Sequence, residues 1–298
     1  MQPLRYASRF IEASFAKLFS ESRQQKNWLS FFVGGLSIFA LFLLPLALII
    51  RYIGLSPLGL VLIGLIAGCI FLGLALWGKV NALVTCQIFY KAIQDGGDQT
   101  GSEVPDRVRQ GHWKDMVVWF FARPWLQIAY WRGQFFQGQV KTQALWIEAY
   151  HLVTPIIALE DLQFSQAVQR AKEVQEERLL RFRSDLVAVR LVGAIVQWIL
   201  MISGTIVGLL VAFNIAYATT TGFRRRLLGM GVGMMLVGVG TLIGMAFKNF
   251  TEACYHTALY QWGCNVASAR QMGEKGLALA PKILRRVFGK RHLMSKDK

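Results

Sequence analysis

Residues 227–247 read LLGMGVGMMLVGVGTLIGMAF and contain no charged side chain. At about 1.5 Å per residue, a helix of this length crosses the roughly 30 Å hydrocarbon core of a bilayer. A backbone in lipid must satisfy its hydrogen bonds internally, and a helix does so. Three further runs of similar length are equally free of charge. The sequence therefore predicts four transmembrane helices: Leu29–Ile50, Leu58–Trp77, Leu191–Phe213 and Leu227–Phe247.

The overall composition agrees with a membrane location. Hydrophobic residues make up 54% of the 298 residues, which is typical of a small polytopic membrane protein. The predicted fold class is all-α: a polytopic membrane helix bundle with four spans and with interfacial and cytoplasmic amphipathic helices. We expect five segments: an amphipathic amino-terminal arm (1–27), a first transmembrane hairpin (28–77), a cytoplasmic or interfacial helical region (78–185), a second transmembrane hairpin (186–247), and a cytoplasmic helix with a basic tail (248–298).

Lysine and arginine counts predict the orientation of the spans, because cytoplasmic loops carry an excess of both residues. The arm 1–27 has five, the region 78–185 has thirteen, and the chain after residue 247 has ten. The first hairpin turn has only Arg51, whereas the arginine triplet at 224–226 in the second turn opposes the rule. Four spans with both termini in the cytoplasm are favoured, in a bacterial inner membrane.

The amino-terminal arm has an amphipathic pattern. Apolar residues recur at the i, i+3, i+4 spacing of one helix face: Leu4, Ala7, Ile11, Phe15 and Leu18. Two placements fit this pattern equally well. Either the helix lies in the membrane interface, or it packs on the protein's own cytoplasmic domain.

The central region is rich in aromatic and charged residues. Tryptophans are interleaved with basic residues over Trp113–Trp146, which favours packing at the headgroup level. The stretch Gln143–Leu159 is short for a span and contains Glu148 and His151, so an interfacial or buried helix is favoured over a fifth span. The stretch Glu160–Asp185 is predicted to be a single charged helix.

The net charge of +16 predicts anionic partners. In a soluble protein nucleic acid would be the first candidate, but beside four spans it is disfavoured and anionic membrane lipids are favoured. The tail segment 281–291 mixes apolar and basic residues, which is typical of a short amphipathic helix on anionic headgroups. Protein partners or a homo-oligomer are also compatible with the sequence.

The sequence contains no convincing reactive constellation. The predicted spans have no acidic or basic side chain, which disfavours ion-coupled transport. The cysteines at 69, 86, 254 and 264 lack the spacing of a zinc site and are expected to be free thiols. Glu148 and His151 form a pair with acid–base potential, but no nucleophile accompanies it. We therefore expect no enzyme activity and assign no catalytic, cofactor-binding or metal-binding residue.

Small and polar residues in the spans predict how the helices pack. Four G-x-x-x-G pairs indicate close helix contacts, with contacts inside the bundle favoured over contacts with a second copy: Gly64/Gly68, Gly204/Gly208, Gly229/Gly233 and Gly240/Gly244. The polar side chains of the spans are expected to form hydrogen bonds across helices: Ser37, Gln197, Ser203, Thr205 and Thr241.

Short motifs spread along the chain carry a family resemblance. The first motif is the amphipathic arm Tyr6–Phe19. The second is a tryptophan-containing helix that runs from Trp146 through Pro155 to the acidic pair Glu160-Asp161. The third is the following helix with Ala167–Arg170, and the fourth is the Ala-Leu-Tyr element at 258–260. In this order the chain resembles a group of prokaryotic multi-pass membrane proteins akin to the membrane domain attached to some glycerophosphodiester phosphodiesterases. The resemblance implies a non-catalytic membrane module.

Two non-enzymatic functions remain open at the level of sequence, and a third hypothesis, an enzyme that uses Glu148 and His151, requires those side chains to converge in a pocket. Uncharged spans beside extensive basic and aromatic segments favour a structural or assembly component of a membrane complex. The alternative is a passive transporter or lipid-handling protein, for which we expect a polar or lipid-sized cavity that contains Gln197.

Overall fold

A computed structural model describes residues 2–19, 22–53, 56–94, 114–122, 151–174, 183–217, 223–271, 281 and 283–284. Almost all of these residues are helical and none of them is in a strand, so the predicted all-α class is confirmed. In chain order the helices of the described part are α1 (Gln2–Phe19), α2 (Ser22–Tyr52), α3 (Pro57–Gln94), α4 (114–122), α5 (His151–Glu160), α6 (Phe164–Val174), α7 (Arg183–Tyr217) and α8 (Phe223–Gln271).

The four predicted spans are confirmed. Four helices are long and apolar enough to cross a membrane, and their apolar parts are Gln24–Ile49, Pro57–Ile93, Ala188–Ile215 and Gly231–Ser268. The protein is therefore an integral, multi-pass membrane protein. Helices α3 and α8 have 38 and 49 residues, well beyond the roughly 20 that a span requires.

The chain forms two compact units. Unit 1 comprises Met1–Asn27, Lys79–Val192 and Asn249–Lys298, and unit 2 comprises Trp28–Gly78 and Gly193–Lys248. Each of the four long helices α2, α3, α7 and α8 contributes residues to both units. Unit 2 therefore contains most of the apolar span residues, and unit 1 contains the remaining lengths of the same helices together with α1, α4, α5 and α6.

The helix boundaries have local causes. Ser56 caps α3, because its hydroxyl oxygen accepts a hydrogen bond from the backbone N–H of Gly59 at 3.2 Å and Pro57 occupies the first helical position. Asp161 has a φ of 57°, a left-handed conformation that ends α5. The Asp115 carboxylate then accepts a hydrogen bond from the N–H of Phe164 at 3.1 Å, at the start of α6.

The break at Asp161 corrects one prediction. A single helix over Glu160–Asp185 is wrong at its start, because residues 161–163 are not helical and α6 begins at Phe164; residues 175–182 lie outside the described residues. The charge pattern of this stretch gave no sign of the break, since an aspartate in a left-handed conformation carries no distinct sequence signal.

Within unit 2, α2 contacts both α3 and α8. The indole Nε1 of Trp77 on α3 donates a hydrogen bond to the carbonyl oxygen of Phe31 on α2 at 3.1 Å. On α2, a Cβ built at Gly35 would collide with the side chain of Leu242 on α8. The buried cluster of this unit draws on the same three helices: Phe31, Leu74, Leu242, Met245 and Ala246.

The contact between α7 and α8 depends on glycine. A Cβ built at Gly204 would lie 2.9 Å from the Cα of Gly240, and one built at Gly233 would lie 2.6 Å from the carbonyl oxygen of Gly208. Gly229 and Gly244 also face α7. Three of the four predicted pairs therefore lie at helix contacts inside the bundle, where the missing side chain lets the backbones approach closely.

The fourth glycine pair differs. A Cβ built at Gly64 or Gly68 would meet no atom within 4 Å. The internal contact predicted for this pair is therefore wrong for the described part of the chain, because the face of α3 that carries it has no neighbouring helix there.

The hydroxyl groups of the spans bond within their own helices. Ser37, Thr205 and Thr241 each donate to the carbonyl oxygen four residues earlier, at 2.8, 2.8 and 2.9 Å. The prediction of hydrogen bonds across helices is wrong for these three residues. The nearest acceptor for a serine or threonine in a helix is the carbonyl of its own preceding turn.

Helix α1 packs with its apolar face inside unit 1. Phe10 is completely buried, and its ring meets the ring of Tyr255 on α8 edge to face, with centroids 5.2 Å apart. The ring of Phe15 meets that of Phe250 in the same way at 4.6 Å. This packing is what the second placement, against the protein's own domain, predicts; the placement in the membrane interface stays a prediction.

The central aromatic region also contributes to this core. Trp119 on α4 is 4% exposed and contacts the ring of Phe164 at 5.7 Å, so this tryptophan packs on the protein, and its predicted headgroup level stays a prediction. Helix α5, the described part of Gln143–Leu159, buries most of its apolar side chains in unit 1. Residues 143–150 and the tryptophans at 113, 125, 131 and 146 lie outside the described residues.

Part of the tail belongs to unit 1 as well. Ile283 and Leu284 are 9% and 1% exposed, so these two apolar side chains pack on the protein. The other residues of the predicted amphipathic segment 281–291, apart from Pro281, lie outside the described residues. Its interaction with lipid headgroups stays a prediction.

Candidate functional site

The polar side chains buried in unit 1 are the best candidates for a functional site. Burying a polar group is costly unless it has a hydrogen-bond partner. These residues come from α1, α2, α3, α5 and α8, in segments far apart in the sequence: Ser14, Gln24, Asn27, Asn81, Thr85, Gln87, His151, Thr251, Glu252, His256 and Thr257.

Two of these polar contacts join α5, α7 and α8. The Nδ1 atom of His151 is 2.7 Å from Nη2 of Arg190 on α7. The imidazole ring of His151 also stacks on that of His256 on α8, with centroids 5.0 Å apart and planes 20° apart. We call His151, Arg190 and His256 the histidine–arginine cluster.

Other contacts join α3 to its neighbours in unit 1. The Nζ atom of Lys79 is 3.6 Å from a carboxylate oxygen of Glu252 on α8. The amide of Gln87 donates to the carbonyl oxygen of Ala158 on α5 at 2.7 Å. The amide of Asn27 donates to the hydroxyl of Thr85 at 3.3 Å. Each of these bonds fixes one helix against another.

Glu160 anchors the end of α5. Its carboxylate accepts a hydrogen bond from the hydroxyl of Tyr260 on α8, and both of its oxygens accept from Nε of Arg170 at 3.1 Å. Arg170 also donates to Glu173 at 3.1 Å. The hydrogen bond to Glu160 is the main reason why the pKa of Arg170 lies above its usual range, so the guanidinium stays charged at any physiological pH.

The two bonds to Glu160 should differ in strength. Tyr260→Phe removes a donor from a buried position (4% exposed), and we expect it to lower the free energy of unfolding by about 1–2 kcal/mol. Arg170→Gln acts on a side chain that is 40% exposed, and we expect a loss below about 1 kcal/mol. Thermal unfolding of the full chain in nanodiscs measures both. A larger loss for Arg170→Gln would contradict this assignment.

The thiols and imidazoles of the described residues do not form a metal site. No group of three or more histidine, cysteine, aspartate or glutamate side chains comes together among the residues with described positions. Cys86 and Cys254 are buried, Cys264 is half-buried and Cys69 is exposed, and all four are free thiols. The ring of His256 stacks on that of His151.

The candidates named from the sequence have different outcomes. His151 lies in the buried core of unit 1, but Glu148 falls outside the described residues, so the acid–base pair stays untested.

In unit 2, a Cβ built at Gly244 would lie 2.8 Å from the carbonyl oxygen of Gln197. The backbones of α7 and α8 therefore meet at Gln197, and the cavity expected for the alternative function stays a prediction.

Sequence reasoning missed Arg190 and His256 as partners of His151. Arg190 lies one residue before an apolar run and reads as a flanking charge, and His256 reads as an isolated polar residue of a long helix. Contacts between residues so far apart along the chain leave no periodic signal in a single sequence.

Comparison with known proteins does not extend this picture. The resemblance to the membrane domain attached to some glycerophosphodiester phosphodiesterases stays a prediction. No protein family, no curated protein and no solved structure matches the chain.

Proposed function

We propose that this protein is a non-catalytic structural or assembly component of a membrane complex, anchored by its four spans and offering unit 1 as a binding platform. One observation carries the proposal: buried and partly buried polar side chains of unit 1 form bonds across helices at three places, Lys79–Glu252, Arg190–His151 and Tyr260–Glu160. Groups used in this way hold helices in fixed positions. A platform for assembly requires such a fixed shape.

The proposed location is a bacterial inner membrane with both termini in the cytoplasm. The support is the excess of lysine and arginine in the segments of unit 1. The basic segments are proposed to contact anionic lipid headgroups as well, because each near-surface lysine or arginine contributes about 1 kcal/mol of attraction.

Cysteine labelling tests the orientation. Arg9 and Glu173 are exposed in unit 1, and Ile53 is exposed in the turn between α2 and α3. We expect Arg9→Cys and Glu173→Cys to react with a membrane-impermeant maleimide only after the inner membrane is permeabilised. Ile53→Cys, the matched control at the other end of a span, should react in intact cells. Labelling of Glu173→Cys in intact cells would reverse the proposed orientation.

Photo-crosslinking in native membranes tests the proposed role. Val118 and Phe121 are exposed apolar residues of α4 in unit 1, at 51% and 49%, and Ile202 is an exposed apolar residue of α7 in unit 2, at 52%. A photoreactive residue at 118 or 121 should give one discrete protein adduct of reproducible mass. The same residue at 202 should give lipid adducts only. If positions 118 and 121 also give lipid adducts alone, α4 is not part of an assembly surface.

A further inference from the structure

Three tryptophans lie at one end of the spanning helices in unit 2. Trp28 is the first residue of the α2 part of this unit, Trp77 precedes Gly78 at the end of the α3 part, and Trp198 follows the start of the α7 part at Gly193. We call Trp28, Trp77 and Trp198 the tryptophan belt. Tryptophan favours the headgroup level of a bilayer, because its ring is apolar and its N–H group is polar.

Contacts within unit 2 place two residues of the belt at the same level. The indole Nε1 of Trp77 donates a hydrogen bond to the carbonyl oxygen of Phe31 at 3.1 Å. Trp28 and Trp77 both pack against the buried cluster that Phe31 forms with Met245 of α8. The belt therefore follows from tertiary contacts as well as from positions along each helix.

Trp198 joins the belt through the contact of α7 with α8. A Cβ built at Gly244, the residue before Met245, would lie 2.8 Å from the carbonyl oxygen of Gln197. Trp28 and Trp77 are half-buried, whereas the side chain of Trp198 is 59% exposed. Trp198 is therefore the residue of the belt whose ring faces the surroundings of unit 2.

The other end of the spans carries a second aromatic and basic layer. The guanidinium group of Arg51 lies 5.4 Å from the ring centroid of Tyr52, and Tyr52 is exposed at the end of α2. Pro57 begins α3 directly after this turn, and Tyr217 ends α7. Tyrosine and arginine are typical of the level at which a helix leaves the hydrocarbon.

The distance between the two layers matches a bilayer. At 1.5 Å per residue, the helix length over residues 57–77 is about 30 Å, over 198–217 about 28 Å and over 28–52 about 36 Å. The hydrocarbon core is roughly 30 Å thick, and a tilted helix accommodates the longest of these segments. The outward side chains between the layers are large and apolar, as at Leu41, Leu65 and Ile199.

We infer that unit 2 sits at a fixed depth in the bilayer, with the tryptophan belt at the headgroups of one leaflet and the Arg51–Tyr52 pair at those of the other. The partner of this surface is the phospholipid bilayer, and Trp198 is the belt residue in direct contact with it. The inference does not depend on the proposed role in assembly.

Quenching of tryptophan emission by brominated phospholipids tests the depth of Trp198. The full chain is placed in nanodiscs of phosphatidylcholine that carries bromine either near the headgroup or near the end of the acyl chain. The difference in emission between the unmodified protein and Trp198→Phe isolates Trp198 from the other tryptophans. We expect the shallow bromines to quench this emission about twofold more strongly than the deep ones.

A tryptophan at position 65 is the matched control. Leu65 is 62% exposed, close to the 59% of Trp198, but it lies about 3 Å from the midpoint of residues 57–77. In the Trp198→Phe background, the emission added by Leu65→Trp should be quenched more strongly by the deep bromines. Both substitutions change lipid-facing side chains, so circular dichroism should show an unchanged helix content.

Three results would overturn the inference. Trp198 could be quenched more strongly by the deep bromines, which would place it inside the hydrocarbon. It could be quenched by neither lipid, which would remove it from the lipid surface. In the control, stronger quenching of Leu65→Trp by the shallow bromines would mean that the membrane does not lie between the two layers.

Discussion

Phe10→Ala is expected to destabilise unit 1 by about 3–5 kcal/mol, the usual cost of truncating a buried phenylalanine. The ring of Phe10 is completely buried and meets Tyr255 edge to face at 5.2 Å. The substitution removes buried apolar area and leaves a cavity in its place. Part of the loss is the aromatic pair itself, which contributes about 0.5–1.5 kcal/mol.

The measurement for Phe10→Ala is thermal unfolding of the full chain in nanodiscs, followed by tryptophan emission. Trp119 and Trp262 are buried in unit 1 and report on its packing. Leu4→Ala is the matched control, because Leu4 lies on the same helix but is 44% exposed, and a surface change of this kind costs less than about 0.5 kcal/mol. Equal and small effects of the two substitutions would mean that α1 does not pack on the protein.

Gly233→Val is expected to disrupt the contact between α7 and α8. A Cβ at this position would already lie 2.6 Å from the carbonyl oxygen of Gly208 and 2.7 Å from the Cβ of Ala212. Backbone atoms cannot yield as a flexible side chain can, so the helices must separate. We expect a loss of about 3 kcal/mol, the upper end of typical overpacking costs.

Gly68→Val provides the matched control for Gly233→Val. Gly68 also belongs to a G-x-x-x-G pair in a spanning helix, but a Cβ there meets nothing within 4 Å. We expect the stability of this variant to stay within about 1 kcal/mol of the unmodified protein. Unfolding by SDS in mixed micelles measures both. If Gly68→Val is the more damaging of the two, the glycine contacts assigned to the bundle are wrong.

The membrane-spanning part of the fold follows from the sequence because its cause is local. An uncharged run of about 20 residues forms a helix in lipid whatever its neighbours are. The motif G-x-x-x-G can also be found from local sequence, but whether its glycines contact another helix depends on the tertiary fold. Gly64/Gly68 and Gly204/Gly208 have the same spacing, yet only the second pair faces another helix in the described part of the chain. The partner of a helix face is a property of the tertiary fold.

The candidate site could not be derived in the same way. His151 stands out in the sequence as a polar residue in an apolar stretch, but Arg190 and His256 become its neighbours only when α5, α7 and α8 come together. The sequence suggested Glu148 as the partner instead, because that residue is three positions away. Local spacing predicts contacts within one helix, whereas the contacts of His151 with Arg190 and His256 cross between helices.

The mass of the particle released from native membranes tests the central claim most directly. The protein is extracted with its surrounding lipid by a maleic acid copolymer and analysed by native mass spectrometry. An assembly component should appear as a discrete complex larger than the single 33.6 kDa chain, with a second polypeptide or a second copy at fixed stoichiometry. A single 33.6 kDa chain carrying lipid alone would contradict the proposed role in assembly.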